Sequence, residues 1–124
     1  MREVKIKALI FDVFGTVVDW RKTLTNNLNS YLPKDLSESD LEEFSLKWRK
    51  GYSDYTQEFN QNNNTWKNVD QIHLDKLLEI LKDFKLINHM NNDSINKLNK
   101  IWHRLNPWED SVEGLGLLKK KFSI

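Results

Sequence analysis

One aspartate, Asp12, stands directly after the short apolar run of residues 8–11, and Gly15 and Thr16 follow it closely. A short apolar run is typical of a strand buried on both faces of a parallel sheet, and a glycine permits a tight turn after it. Open α/β sheets place their ligand sites at the carboxyl ends of the strands. A carboxylate there can act as a nucleophile, a general base or a metal ligand. The alternative is an aspartate that ends the strand and simply caps the next turn. Thr16 offers a hydroxyl and a backbone donor to an anion.

The composition narrows the class of protein. The chain has 124 residues, a formal net charge of +1 and no cysteine. The absence of cysteine excludes disulfides, thiolate metal sites and a cysteine nucleophile, and the small net charge gives no reason to expect a nucleic-acid or membrane partner. Charged residues interrupt the apolar run near the start, so we expect neither a signal peptide nor a membrane span. We expect a cytoplasmic protein.

Apolar residues at helical spacing predict a series of helices after the first strand. The apolar positions are Leu24, Leu28 and Leu32 in the first helix, Leu41, Phe44, Trp48, Tyr52, Tyr55 and Phe59 in the second, Leu74, Leu77, Leu78, Leu81 and Phe84 in the third, Ile95, Leu98, Ile101, Trp102 and Leu105 in the fourth, and residues 112–121 in the fifth. Ser37 and Ser39 are candidate N-caps of the second helix. Residues 60–64 form a predicted polar loop, and residues 122–124 resemble the start of a second strand.

A strand followed mainly by helices lacks a neighbouring strand to pair with. Each unmade buried hydrogen bond costs about 1–3 kcal/mol, and a whole domain is stable by only about 5–15 kcal/mol. We therefore expect the sequence to be the N-terminal part of a larger α/β protein. In isolation it is expected to be marginally stable or to self-associate through the strand edge.

Residues 11–21, which read Phe-Asp-Val-Phe-Gly-Thr-Val-Val-Asp-Trp-Arg, resemble the first motif of the haloacid dehalogenase superfamily, and more narrowly that of the type II L-2-haloacid dehalogenases. In that family the aspartate that matches Asp12 attacks carbon 2 of a short 2-haloacid, and water then hydrolyses the ester. The resemblance implies a small-molecule 2-haloacid as the substrate. It implies no cofactor and no metal, and it allows a homodimer of the complete protein.

The same resemblance implies an α/β fold in which the first strand of a Rossmann-like parallel sheet is followed by an inserted helical cap. The first strand and nucleophile loop are then residues 1–19, the cap is residues 20–106, and residues 107–124 return to the core. The family's remaining motifs, a Ser or Thr with Asn, a lysine and a late acidic or Asn residue, are expected beyond Ile124. The chain as it stands is expected to be mostly helical.

A second match is Trp48-Arg49 with Tyr52 and Tyr55, which resembles the cap helix that carries the family's substrate-binding arginine. An arginine keeps its charge at all ordinary pH values, and its fork binds planar anions. The resemblance implies that Arg49 holds the substrate carboxylate or the departing halide. The other interpretation of Arg49 is a solvated arginine on a helix.

Phe14 occupies the position where superfamily phosphatases carry a second aspartate. A halide leaves as a stable anion and needs no proton, so a general acid is dispensable. We expect Val13, through its backbone, and Phe14 to line the substrate site, and Thr16 to stabilise the anion or the intermediate. Phe14 can also serve packing alone.

Two other functions stay open at this point. One is a magnesium-dependent phosphatase that uses Asp12, and the other is a catalytically inactive helical module. Asp19 is interpreted as a solvated turn residue, and His73 and His103, which lack further ligands at metal spacing, as packing or surface residues.

Overall fold

A computed structural model describes residues 5–62 and 65–124 of the chain. The described part is mainly helical. Its helices are α1 (Trp20–Tyr31), α2 (Glu38–Asn62), α3 (Val69–Asp83), α4 (Asn92–Asn99) and α5 (Ser111–Lys119), with 3-10 turns at Ile87–His89 and Lys100–His103. The chain divides into two compact units. Arg21–Arg104 form one, called here the helical unit, and the described residues up to Trp20 together with Leu105–Ile124 form the other, called the terminal unit.

Helix α2 begins where its capping residues predict. The Ser37 hydroxyl accepts a hydrogen bond from the backbone N–H of Asp40 at 3.1 Å, and the Asp40 carboxylate accepts one from the Ser37 N–H at 2.8 Å. This reciprocal pair satisfies two backbone donors at a helix start. Ser37 is therefore confirmed as the N-cap, whereas Ser39 lies inside the helix.

The other helices lie where the apolar spacing predicts them, but their first and last residues differ from the predicted segments. Helix α3 contains the predicted apolar positions Leu74 to Leu81 and starts at Val69, where the Asn68 side chain caps it by accepting a hydrogen bond from Gln71 N–H at 2.9 Å. The predicted loop at residues 60–64 starts too early, since α2 continues through Asn62; residues 63–64 lie outside the described part.

The predicted fourth helix is not one continuous α-helix. Helix α4 ends at Asn99, and the chain continues as the 3-10 turn Lys100–His103. This tighter winding ends in Arg104, whose N–H donates to Ile101 O at 2.9 Å. In the described residues of α4 and this turn, Ile95, Leu98, Ile101 and Trp102 are buried, as their spacing predicts.

Trp48 lies at the centre of the aromatic core of the helical unit. Its side chain is fully buried, and its indole N–H donates to the His73 carbonyl oxygen at 2.8 Å. The rings of Trp102 and Phe44 stand edge-on to it, with centroids at 5.4 and 6.2 Å. These contacts fix α2 against α3 and against the turn that carries Trp102, and so they set the position of the residue that follows, Arg49.

The terminal unit is held by short backbone contacts and not by a sheet. Ala8 and Ser123 form an isolated parallel β-bridge. In it, Leu9 N–H donates to Ser123 O at 2.9 Å, and Ser123 N–H donates to Lys7 O at 3.0 Å. Helix α5 precedes this bridge and covers most of the predicted fifth helix.

The predicted buried strand is not observed in the described residues. Residues 1–4, which belong to the predicted first strand and nucleophile loop, lie outside them, and residues 5–62 and 65–124 contain isolated β-bridges but no strand. The Ile10 side chain, predicted to be buried, is 99% exposed. An apolar strand becomes buried only when other elements cover both of its faces, and none of the described residues covers Ile10.

The structure also bears on membrane insertion. Across the residues that it describes, no helix has both the length and the hydropathy of a membrane span.

Gly51 allows close contact between α2 and α3. A Cβ atom at this position would lie 2.3 Å from Lys76 Cγ and 2.8 Å from Lys76 Cβ, so even a methyl group requires backbone movement. We predict that Gly51→Ala lowers the free energy of unfolding by about 1 kcal/mol, because overpacking of about 1–3 kcal/mol outweighs a gain in helix propensity of up to about 1 kcal/mol. Urea denaturation followed by circular dichroism measures this change.

The matched control is Gly116→Ala in α5, where a Cβ atom would meet nothing within 4 Å. It should leave stability unchanged or raise it by up to about 1 kcal/mol. If Gly51→Ala raises stability as much as the control does, α2 and α3 are not in close contact at Gly51.

His73 is a buried histidine whose titration makes stability depend on pH. Its side chain is 3% exposed, and its ring stacks on Trp102 with centroids 4.3 Å apart. Burial, followed by the positive charge of Arg49, lowers the pKa of His73 from 6.5 to about 4, against an opposing effect of Asp70. The folded protein therefore binds this proton less readily than the unfolded chain does. The resulting stabilisation is complete above the unfolded pKa and declines as the pH falls towards 4.

We predict that the protein loses about 2 kcal/mol of stability through His73 between about pH 7 and pH 5. The variant His73→Phe retains an aromatic ring for the stack on Trp102 and should lose this part of the pH dependence. The exposed His89 provides the control, since His89→Gln should keep it. Urea unfolding at several pH values measures the slopes. Equal slopes for the protein and His73→Phe would contradict a buried neutral histidine.

Candidate active site

Asp12 and Thr16 lie together in the terminal unit. The Thr16 hydroxyl donates a hydrogen bond to Asp12 Oδ2 at 2.7 Å, and both side chains are exposed to solvent. A hydroxyl donor of this kind holds one carboxylate oxygen and leaves the other oxygen of the group available for chemistry. The Asp12 side chain is therefore oriented and accessible, as a carboxylate nucleophile must be.

A compact turn brings these two residues together. Gly15 adopts a φ of 86°, in the left-handed region that favours glycine. Gly15 N–H donates to Val18 O at 3.0 Å, and Val17 N–H donates to Val13 O at 2.9 Å. The Thr16 N–H also points inward, to Val13 O at 3.3 Å, so in this structure it is a turn donor and not the free anion donor that the sequence predicts.

The turn is held from outside by two residues that the sequence reasoning did not select. The Trp108 indole N–H donates to Gly15 O at 3.0 Å, and the Ser111 hydroxyl donates to Val17 O at 2.7 Å. Two backbone bonds, Trp108 N–H to Val17 O at 3.1 Å and Asp19 N–H to Asn106 O at 2.8 Å, join the same segments. The only signal for these contacts in the sequence is the break in helical pattern at residues 106–108, which carries no information about its spatial neighbour.

The predicted lining residues are on the surface of the same turn. Val13 is 48% exposed and Phe14 is 43% exposed. Phe14 forms an isolated parallel bridge with Val18, which places its backbone within the turn. Two partly exposed apolar side chains thus follow Asp12 within two residues in the sequence.

Arg49 lies in the helical unit, on α2, and its side chain is half-buried. The carbon of its guanidinium lies 5.6 Å from the centroid of the Tyr52 ring, within the range of a cation–π contact. Its charge also contributes to the lowered pKa of His73. The structure therefore unites Asp12 with Thr16 in one unit and Arg49 with Tyr52 and His73 in the other.

The histidines behave as the sequence predicts, one in the packing and one on the surface. His73 is buried, whereas His103 is half-exposed and pairs with Asp70, with Nε2 and Oδ1 2.6 Å apart. The residues that the structure describes contain no group of three or more His, Asp or Glu side chains placed to hold one metal ion.

The comparisons with known proteins give structural likeness without a family or sequence match. No protein-family model matches the sequence, and no curated protein matches it. The fold is similar to that of the defluorinating L-2-haloacid dehalogenase Rha0230, with a TM-score of 0.82 and 29% identity over 94% of this chain and 48% of that one. It is also similar to the L-2-haloacid dehalogenase PA0810, with a TM-score of 0.80 and 29% identity over 95% of this chain and 49% of that one.

A more distant likeness in fold is to the L-2-haloacid dehalogenase of Xanthobacter autotrophicus, solved with chloropropionic acid covalently bound. There the TM-score is 0.70 and the identity 18%, over 93% of this chain and 43% of that one. The chain spans about half the length of the first two structures and 43% of the length of the third. Its structural neighbours are thus L-2-haloacid dehalogenases, the family that its first motif resembles.

Proposed function

We propose that the protein at its full natural length is a hydrolase that removes halide from short 2-haloacids, with Asp12 as the covalent nucleophile. The single observation that carries the proposal is the hydrogen bond from Thr16 to Asp12, at 2.7 Å, in an exposed turn. The likeness to two L-2-haloacid dehalogenase structures at 29% identity supports it.

In the proposed reaction a carboxylate oxygen of Asp12 attacks carbon 2 of the substrate. A carbon–oxygen bond forms as the carbon–halogen bond breaks, and the halide leaves with the bonding electron pair. Water then attacks the carbonyl carbon of the ester. This step releases a 2-hydroxy acid and a proton and restores the Asp12 carboxylate. Thr16 holds the carboxylate in place before the attack.

Phe14 favours attack on carbon over phosphoryl transfer. It occupies the position that would carry a general acid for an alkoxide leaving group, and a halide needs none. Its partly exposed ring, together with the partly exposed isopropyl group of the neighbouring Val13, gives an apolar surface beside the proposed nucleophile. An apolar surface strengthens the nucleophile by limiting its hydration.

Arg49 is the proposed binding residue for the substrate carboxylate or the halide. Its charge is permanent, and its fork can donate two parallel hydrogen bonds to a carboxylate. On this proposal the helical unit corresponds to a cap that supplies the anion site, and the terminal unit corresponds to a core that supplies the nucleophile.

The Rossmann-like sheet is part of the same proposal. The support for it is the parallel direction of the bridge between Ala8 and Ser123, with backbone hydrogen bonds of 2.9 and 3.0 Å. We interpret this bridge as the meeting point of two neighbouring parallel strands, which explains why residues 8–11 are apolar. In a complete sheet the Ile10 side chain would be covered.

We predict that Asp12→Asn and Asp12→Ala lower halide release from L-2-chloropropionate by at least about a thousandfold, as is usual when a covalent nucleophile is removed. Asp12→Ala guards against recovery of activity through deamidation of asparagine. The control is Asp35→Asn at an exposed loop position, which should retain full activity. Chloride release from the full-length protein is the measurement. Full activity of Asp12→Ala would rule out the proposal, and so would magnesium-dependent phosphate release without halide release.

We predict that Arg49→Gln lowers kcat/KM for the same substrate about 10- to 150-fold, mainly through KM, because a hydrogen bond to a charged group contributes about 1.5–3 kcal/mol. Arg49→Lys should recover only part of this loss, since lysine keeps the charge but lacks the fork. The neighbouring Lys50, which pairs with Asp54 at 2.6 Å, is the control, and Lys50→Gln should leave KM unchanged. An unchanged KM in Arg49→Gln would remove Arg49 from the site.

A further inference from the structure

Tyr52 carries the guanidinium of Arg49 on its ring. The two residues are one turn apart on α2, and the guanidinium carbon lies 5.6 Å from the ring centroid. We propose that Tyr52 is a positioning residue that holds Arg49 in place for the substrate anion. This inference rests on the proposed function, in which Arg49 binds that anion.

The ring of Tyr52 is itself supported from the core of the helical unit. It lies 6.1 Å from the His73 ring, and His73 in turn stacks on Trp102 at 4.3 Å. Trp48 then closes the cluster, with its ring edge-on to Trp102 and its indole N–H bonded to the His73 carbonyl oxygen. A continuous series of packed rings therefore joins Arg49 to the fully buried indole of Trp48.

This arrangement addresses the main cost of using an arginine as a binding group. An arginine side chain has many rotamers, and fixing them when the ligand binds weakens binding. A guanidinium that already rests on a fixed ring has lost part of that freedom before the ligand arrives. A cation–π contact uses the flat face of a guanidinium, whereas a carboxylate binds along its N–H edge, so the ring contact does not compete with the anion.

The His73 ring that lies beside Tyr52 is uncharged at neutral pH. A protonated ring behind Tyr52 would place a second positive charge close to Arg49. Burial holds the pKa of His73 at about 4, although the carboxylate of Asp70 acts in the opposite direction; the effect of His103 adds to that of burial. The support beneath Arg49 is thus uncharged at neutral pH.

Helix α2 offers a matched control one turn further on. Tyr55 carries a cation in the same way, with Lys67 Nζ 5.8 Å from its ring centroid. That lysine is held by Asp75 at 2.6 Å. Tyr55 is therefore a tyrosine of the same helix, also half-buried, whose cation has no role in the proposed reaction.

The test compares steady-state kinetics of Tyr52→Leu, Tyr52→Phe and Tyr55→Leu in the full-length protein with L-2-chloropropionate. Tyr52→Leu should raise KM about fivefold with little change in kcat, because it removes a partly desolvated cation–π contact. Tyr52→Phe keeps the ring face and should restore the original KM. Tyr55→Leu should leave KM unchanged.

A second readout does not depend on activity. The Nε–Hε signal of Arg49 in nitrogen-15 NMR spectra lies close to the Tyr52 ring and should be shifted by it. Tyr52→Leu should move this signal, and Tyr52→Phe should return it to its original position. An unmoved signal in Tyr52→Leu overturns the inference, whatever the kinetics.

The outcomes separate this inference from the proposed function. If Arg49→Gln raises KM and Tyr52→Leu does not, Tyr52 is not a positioning residue and the function of Arg49 stands. If neither variant changes KM while Asp12 is still required, the inference and the role of Arg49 both fail, and the nucleophile is unaffected. An equal rise in KM for Tyr52→Leu and Tyr55→Leu would indicate a general disturbance of α2 and would also overturn the inference.

Discussion

The burial of the Trp48 indole is the constraint on which the helical unit depends. A fully buried indole must find an acceptor for its N–H, because an unmade buried hydrogen bond costs about 1–3 kcal/mol. The His73 carbonyl oxygen supplies that acceptor at 2.8 Å. This bond joins α2 to α3, and the edge-on ring of Trp102 joins both helices to the turn that follows α4. Arg49 is the next residue along α2, so its place in the unit follows from the packing of Trp48.

A different constraint governs the terminal unit. The carboxylate of Asp12 is oriented by Thr16, and Thr16 reaches it because Gly15 adopts a positive φ. The resulting turn receives hydrogen bonds from Trp108 and Ser111 at its carbonyl oxygens. The turn that contains Asp12 is thus held by residues that lie 93 and 94 positions further along the chain than the carbonyl groups they contact. Local sequence makes the turn, and distant hydrogen bonds hold it.

The features that the sequence predicted well depend on local physics. The cap at Ser37 joins residues three positions apart, and Leu41, Phe44 and Trp48 of the predicted α2 stripe are buried at the three- and four-residue spacing of a helix. The start of α3 is set by the Asn68 side-chain cap, and α4 changes to a 3-10 turn at Lys100. Apolar spacing alone indicates neither of these two boundaries. Trp108 and Ser111 were missed because no local pattern reports a contact across the chain.

The strand prediction failed because the burial of a strand depends on distant parts of the chain. Residues 8–11 have the composition of a buried strand, yet Ile10 is almost completely exposed, and within the described part of the chain residues 8–11 make only one β-bridge, between Ala8 and Ser123. An apolar composition indicates that a segment is stable when it is buried, and the elements that bury it must come from other parts of a fold. The orientation of the Asp12 carboxylate, by contrast, comes from the hydrogen bond that it accepts from Thr16 within its own turn.

The central claim is that Asp12 is a covalent nucleophile, and a single-turnover reaction in oxygen-18 water tests it most directly. Excess full-length protein is mixed with L-2-chloropropionate, digested and analysed by mass spectrometry. Hydrolysis of an ester on Asp12 places the heavy oxygen in the peptide that contains Asp12, and the first 2-hydroxy acid formed is unlabelled. Heavy oxygen in that first product, with none in the Asp12 peptide, would mean that water attacks the substrate directly and would contradict the account.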